Sequence, residues 1–376
     1  MHHFIYPSKT AWISSGSNSA TTGISQRDQN FGQDEILELK KEFFNLSFDY
    51  PTRNLIQFDL SEMSKSIHLG NIDRPFSSTW PTGSKFYLRL YEAEGNQELS
   101  TEYKLAAFPL AQAWDAGSGK LTNDPKITNG VSWENRKYPI NGTAITWSND
   151  SGYSNTGGSV YSGSWNASQS FSYQSPDVEM DVTSMVKNWL DGTHTNNGLL
   201  LRFSGSQETD TTTFGHLKFF SRNTHTIYSP KLEVRWNDSS ISTGSLLPLS
   251  MSGLIDNYLY MPGLRDSYKE NEKVKFRVKA RKRYIQKTFS TSVQTVSGSY
   301  IPANSGSYSI LDIATGETIV PFSSYTSMSC DAESNYFIQW LNGFHPDRVY
   351  KILYKLKYND GQEQIFDNNF EFKVKR

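Results

Sequence analysis

A chain of 376 residues is long enough for two domains of ordinary size. Aromatic residues make up 14% of it beside 26 glycines, a composition of short strands joined by turns, so the reading is a mostly β protein. A formal net charge of -1 gives no bulk pull toward nucleic acid or a membrane, and a single cysteine, Cys330, excludes an internal disulfide.

The charge is mildly uneven, with 20 Lys+Arg against 24 Asp+Glu in residues 1–236 and 17 against 14 in residues 237–376. The opening Met-His-His-Phe-Ile-Tyr lacks the apolar stretch of a signal peptide, and no window approaches the roughly 20 apolar residues of a membrane helix. The expectation is a soluble protein made in a cytoplasm, with Cys330 as a small buried residue.

In chain order, residues 8–14 read as a first strand and residues 15–29 as a polar loop. A strand begins at Ile36 and Leu37. In residues 53–61, Ile56, Phe58 and Leu60 alternate with Gln57 and Asp59, the period of a half-buried strand. Residues 85–92 repeat that alternation with Phe86, Leu88 and Leu90. Residues 101–109 are the next strand and 113–120 a loop. Trp133 and Trp147 bracket a hairpin turning at Asn141-Gly142.

Residues 148–176 are rich in Ser, Gly, Asn and Tyr, and Tyr153, Tyr161, Trp165 and Tyr173 are spaced along them. Such a stretch either folds back on its own domain or contacts another molecule, and exposed rings there would stack on sugars. Next, Val182, Met185, Val186 and Trp189 have the spacing of one buried helix face, with Asp181 or Thr183 to start the helix and Gly192 to end it. A polar turn leads into the apolar run Gly198-Leu-Leu-Leu-Arg-Phe203. Residues 214–221 and 229–236 complete the domain.

Four segments in this order, Arg53-Asn-Leu-Ile-Gln-Phe-Asp-Leu-Ser61, Asp181-Val-Thr-Ser-Met-Val-Lys-Asn-Trp189, Asn197-Gly-Leu-Leu-Leu201 and Ser229-Pro-Lys-Leu-Glu-Val234, together with Pro7-Ser-Lys-Thr-Ala-Trp-Ile13 and Asn30-Phe-Gly-Gln-Asp34, resemble DNRLRE-type (disaggregatase-related) modules. Those are jelly-roll β-sandwiches of the carbohydrate-binding-module type. The resemblance covers about residues 5–236, and the acidic-arginine motif that names the family is not found. Modules of this kind also occur in virion structural proteins of tailed phages, so the resemblance implies a non-enzymatic tail, neck or baseplate protein. It would act in a symmetric homo-oligomeric assembly, with other virion proteins as partners. Two alternatives stand beside it: a carbohydrate-binding module meeting a host surface glycan through Tyr153, Tyr161, Trp165 and Tyr173, and a polysaccharide-degrading tail enzyme.

The expected domains are a jelly roll over residues 1–236, a turn-rich linker over 237–252, and an immunoglobulin-like β-sandwich over 253–376, whose strands recur every 8 to 20 residues. Its clearest pattern is Lys273-Val-Lys-Phe-Arg-Val-Lys-Ala-Arg281. Alternate residues of a strand share a face, so Lys273, Lys275, Arg277, Lys279 and Arg281 form a cationic row while Val274, Phe276, Val278 and Ala280 enter the core. The row is either a solvated face neutralised by acids on neighbouring strands or a docking stripe for an acidic protein surface. Nucleic acid is disfavoured because no exposed aromatics are interleaved with it and the domain is not strongly basic.

Among catalytic patterns, the seven histidines lack metal-ligand spacing and no nucleophile elbow is present. Gly117-Ser-Gly-Lys120 imitates a phosphate loop, but Leu121 stands where Ser or Thr is required. Acidic pairs such as Asp34-Glu35 could serve a glycosidase only where folding brings two carboxylates to about 5–9 Å. No cofactor or metal is expected.

Overall fold

The computed structural model describes residues 1–16, 25–41, 50–75, 83–94, 102–148, 154–161, 166–172, 177–252, 256–284, 289, 291–293 and 298–376. They form two compact units, Ile5–Val234 and Met1–Phe4 with Arg235–Arg376. The architecture is mostly β, with two α-helices among the described residues, Ser61–His68 and Thr183–Leu190.

In the first unit a five-stranded antiparallel sheet runs in the order Ala167–Ser172, Glu102–Pro109, Leu199–Phe203, Thr52–Phe58, Pro7–Ser14. The alternating strand at Thr52–Phe58 buries Ile56 and Phe58 as its period requires, and Leu60 beyond it is buried too. Leu55, on the opposite face, is also buried, because Trp114, Trp133 and Trp147 cover that face together with Ala11, Ile13 and Leu200. The hairpin expected between the last two tryptophans is present: Asn135–Lys137 pairs with Ile145–Ser148. Both faces of the sheet are therefore core where Pro7–Ser14, Thr52–Phe58 and Leu199–Phe203 lie side by side, and each buried aliphatic side chain there contributes roughly 1.5–3 kcal/mol.

The helix Thr183–Leu190 follows the strand Val178–Asp181. The Asp181 carboxylate accepts the Thr183 N–H at 2.9 Å, Met185, Val186 and Trp189 are buried, and Gly192 adopts φ +76° just beyond the end. The polar turn after it is structural. Asn196 Nδ2 donates to the Phe58 carbonyl at 2.8 Å, and the Asn197 carbonyl accepts the Trp114 indole N–H at 2.9 Å. The helix Ser61–His68 has no counterpart in the sequence pattern; Met63 is its one buried residue.

The second unit holds two sheets. One has the order Leu247–Pro248, Ser299–Tyr300, Lys273–Lys282, Asn335–Trp340, Ser329–Cys330, with Asn257–Tyr260 also paired to Lys273–Lys282. The other has the order Ser267–Lys269, Glu363–Lys375, Val349–Lys357, Gly306–Asp312, Thr318–Val320. Residues of both meet in one core, where Phe337 stacks on Tyr308 at 3.7 Å and on Phe276 at 5.1 Å. Residues 237–252, expected to be a linker, pack into this unit. Leu249 and Met251 are buried, Ser242 N–H bonds the Cys330 carbonyl at 2.8 Å, and Leu249 N–H bonds the Tyr300 carbonyl at 2.7 Å. The Ser- and Thr-rich composition conceals an apolar Leu-Leu-Pro-Leu run that is long enough to pair. Cys330 is buried, as expected.

Candidate functional site

Strand Lys273–Lys282 sits inside its sheet, so its alternation has two different consequences. Val274, Phe276, Val278 and Ala280 are buried, while Lys273, Lys275, Arg277, Lys279 and Arg281 lie on the other face, exposed or half-buried. The register with neighbouring strands then decides what stands beside each cation. Lys273 is opposite Trp340, Lys275 opposite Ile338 and Arg277 opposite Tyr336; Arg281 is opposite Tyr258 and Lys279 opposite Tyr260. The result is a cationic row with an aromatic border along each side.

The cations lie against those rings. Lys273 Nζ is 4.9 Å from the Trp340 ring centre, Lys275 Nζ is 3.7 Å from that of Tyr336, and the Arg281 guanidinium is 5.0 Å from that of Tyr258. Tyr258 in turn stacks on Tyr260 at 5.9 Å. Each cation–ring contact contributes about 0.5–1 kcal/mol at a half-exposed site and holds a long side chain in one place.

The middle of the row is neutralised. Arg277 donates from both terminal nitrogens to Asp331 at 2.9 and 2.9 Å, and Lys275 Nζ reaches the same carboxylate at 2.9 Å. Asp331 also accepts the Glu333 and Ser334 N–H groups at 3.0 and 3.2 Å. Chiefly the Arg277 hydrogen bonds, and then Lys275 and the two backbone donors, hold the Asp331 carboxyl far below the usual carboxylate range despite some desolvation. Among the described residues, Lys273, Lys279 and Arg281 have no carboxylate in ion-pair reach, whereas Arg283, just past the strand, pairs with Asp256 at 3.2 Å. The five expected site residues thus share one face, two of them neutralised by Asp331 and three without a carboxylate, Arg281 donating instead to the Lys282 and Arg283 carbonyls at 3.3 and 3.5 Å.

Of the aromatic residues expected to meet sugars, Tyr153, Trp165 and Tyr173 lie outside the described residues. Tyr161 is half-buried, and its ring stacks on His194 at 3.9 Å, which covers one of its faces.

The sequence gives little sign of a cleft of about 430 Å³ in the first unit, where Asp34, Glu35, Glu38 and Glu94 gather with Lys120, Lys218 and Trp12. Strand Gly215–Phe220 brings three of these together, because Lys218 is in register with both Glu38 and Glu94. Burial pushes the Asp34 carboxyl up to about 6, although the Leu121 N–H at 3.0 Å and the Trp12 indole N–H at 2.9 Å both donate to it. Burial acts upward on Glu38 as well, but His216 and Lys40, each 3.5 Å away, outweigh it and leave that carboxyl below its usual value. Lys218 bonds Glu94, and Lys120 lies 3.9 Å from Glu35. Each carboxylate of the cleft therefore has a partner within the unit.

The glycine-rich loop beside the cleft has a packing role. Asn30 is fully buried; its Nδ2 donates to the Ala116 and Val131 carbonyls at 2.6 and 2.7 Å, and its Oδ1 accepts the Gly119 N–H at 2.8 Å. Gly117 (φ +81°) and Gly130 (φ +92°) let three segments close on that side chain, since a Cβ on Gly130 would stand 2.4 Å from the Gly117 Cα. No protein-family model matches the chain, and no curated protein matches it.

Proposed function

We propose that the chain is a non-enzymatic structural protein of a tailed-phage virion that docks on other proteins of the particle through the cation and aromatic face of its second unit. The single observation that supports this best is that face: a row with three cations that have no carboxylate partner, two of them lying on rings, bordered by residue types that carry binding energy at protein interfaces. Tyr and Arg side by side in one patch, with charge complementarity setting orientation and encounter rate, is the chemistry of specific docking.

The sheet orders support the finer reading of both units. Ser267–Lys269 joins the second sheet in parallel with Glu363–Lys375, while Asn257–Tyr260, just before it, pairs antiparallel with Lys273–Lys282 in the first. One N-terminal segment shared between two sheets in this way is the arrangement of an immunoglobulin-like sandwich. The antiparallel five-stranded sheet, with its crossing strand order, fits a jelly roll in the first unit. The cleft carboxylates, each held by a partner, act in this reading as fold elements.

The test replaces Lys273, Lys279 and Arg281 together by Glu and follows incorporation into purified particles by mass spectrometry. Wild-type protein in particles and its loss in the folded variant is the expected result. Absence of the wild-type protein from particles, or unchanged incorporation of the variant, overturns the reading.

A further inference from the structure

We infer that the partner of the cationic face is an extended acidic segment of another protein, with carboxylates on alternate residues; this rests on the docking reading above. Three features of the face select this chemistry. The first is spacing. Lys279 and Arg281 are two residues apart on one strand face, about 6.7 Å, and Lys273 stands at the far end of the row, about 27 Å from Arg281. Carboxylates on every second residue of an extended chain repeat at the same interval on one face, whereas every second residue of a helix points to a different face.

The second feature is the carboxylate the face already holds. Asp331 sits between Arg277 and Lys275 with three donor contacts of 2.9 Å, so the row binds a carboxylate from within the unit at its centre. Lys273 on one side, and Lys279 with Arg281 on the other, present the same donor types without such an acid. An incoming segment with acids matched to these three positions continues a pattern that Asp331 begins.

The third feature separates carboxylate from nucleic acid. The neighbouring strands do supply the aromatics that the strand's own cationic face lacks, but their faces are occupied: Lys275 lies on Tyr336, Lys273 on Trp340 and Arg281 on Tyr258. Bases would have to displace those cations to stack, while a carboxylate meets the cations where they already are. Rings and cations held together also lose little freedom when a partner arrives.

The experiment measures binding of the full chain to three fluorescent probes: a nine-residue peptide with Glu at every second position between Thr residues, a peptide of the same composition with its Glu residues at helical spacing, and a single-stranded oligonucleotide of nine thymidines. The expected result is that the alternating peptide binds at least about tenfold more tightly than either other probe, and that Lys279→Glu with Arg281→Glu removes most of that difference. A gain accompanies the loss, because Asp331→Asn releases Lys275 and Arg277 and raises affinity for the alternating peptide severalfold, an effect that misfolding cannot imitate. Equal binding of the two peptides, tighter binding of the oligonucleotide, or no gain with Asp331→Asn overturns the inference. If no probe binds while particle incorporation still depends on Lys273, Lys279 and Arg281, the partner chemistry is wrong and the docking reading stands. If incorporation is independent of the row, the docking reading itself fails.

Discussion

Replacing Asp331 by Ala tests the electrostatics of the second unit most directly. The carboxylate does two jobs: it accepts the Glu333 and Ser334 N–H groups, fixing the turn before Asn335–Trp340, and it receives Arg277 and Lys275. The two turn hydrogen bonds contribute about 0.5 kcal/mol each in net terms. The ion pairs are partly exposed, with side-chain exposures of 28% for Arg277, 39% for Lys275 and 29% for Asp331, so screening limits them to about 1 kcal/mol together even with bidentate geometry. The expected loss is about 2 kcal/mol at pH 7, or about 6 °C in the melting temperature of a unit of this size. The sign of its pH dependence follows from the lowered carboxyl. Asp331 binds its proton less readily in the folded state than in the unfolded chain, so its contribution is present above about pH 4 and shrinks as the pH falls below that. Urea unfolding of wild type and Asp331→Ala, read by tryptophan fluorescence at pH 7 and pH 2.5, checks both parts. A loss under about 0.5 kcal/mol at neutral pH, or a difference equally large at pH 2.5, refutes the reasoning.

Asn30→Ala strands the Ala116 and Val131 carbonyls and the Gly119 N–H inside the first unit, and should cost about 3 kcal/mol in urea unfolding; a cost under 1 kcal/mol would show that the loops hold themselves. Gly130→Ala forces a side chain into φ +92° and against the Gly117 Cα, and is expected to lower soluble yield sharply, whereas Gly316→Ala, with open space around it, should cost only the backbone strain of φ +72°. Asp34 carries the opposite sign to Asp331. Its carboxyl is raised to about 6 when folded, so its contribution is fully present below about pH 4 and is lost as the pH rises through about 6. Allowing for its partial contact with water, wild type should lose about 1–2 kcal/mol across that window and Asp34→Asn should not, which paired urea titrations at pH 4 and pH 7 would decide. Phe337→Ala removes a ring stacked between Tyr308 and Phe276 and should cost about 3–5 kcal/mol by the same measurement.

What the sequence makes legible follows from how local each determinant is. The faces of Thr52–Phe58, Lys85–Leu90 and Lys273–Lys282 can be read from period two alone, because adjacent side chains must point opposite ways. The helix Thr183–Leu190 is equally plain from its spacing and from Gly192. Burial of Leu55 and Leu200 on the second face of their sheet is not legible, since the three tryptophans that cover them come from a stretch that reads as loop and hairpin. The helix Ser61–His68 escapes because it buries Met63 alone and so has almost no apolar stripe. The cleft escapes for another reason: Asp34, Glu35 and Glu38 come from one segment, but Glu94, Lys120 and Lys218 come from three others, and it is the pairing of Gly215–Phe220 with two other strands that sets Glu94 and Lys218 beside Glu38.

The cationic row lies between these cases. Period two identifies which side chains share the face, but availability is set by register with strands far along the chain. Arg277 pairs with Tyr336, and this places the turn containing Asp331 beside the middle of the row, more than fifty residues away in sequence. The same carboxylate that stabilises its turn therefore also removes two cations from the surface. Stability and acidic-partner affinity are coupled there with opposite signs: a substitution at Asp331 should weaken the fold while strengthening binding. A substitution at Lys279 or Arg281, where no carboxylate is held, should change binding with little effect on the fold. Measuring both quantities on the same variants separates a docking face from a merely solvated one, because a solvated face would show the stability change at Asp331 and no binding change at any of the three positions.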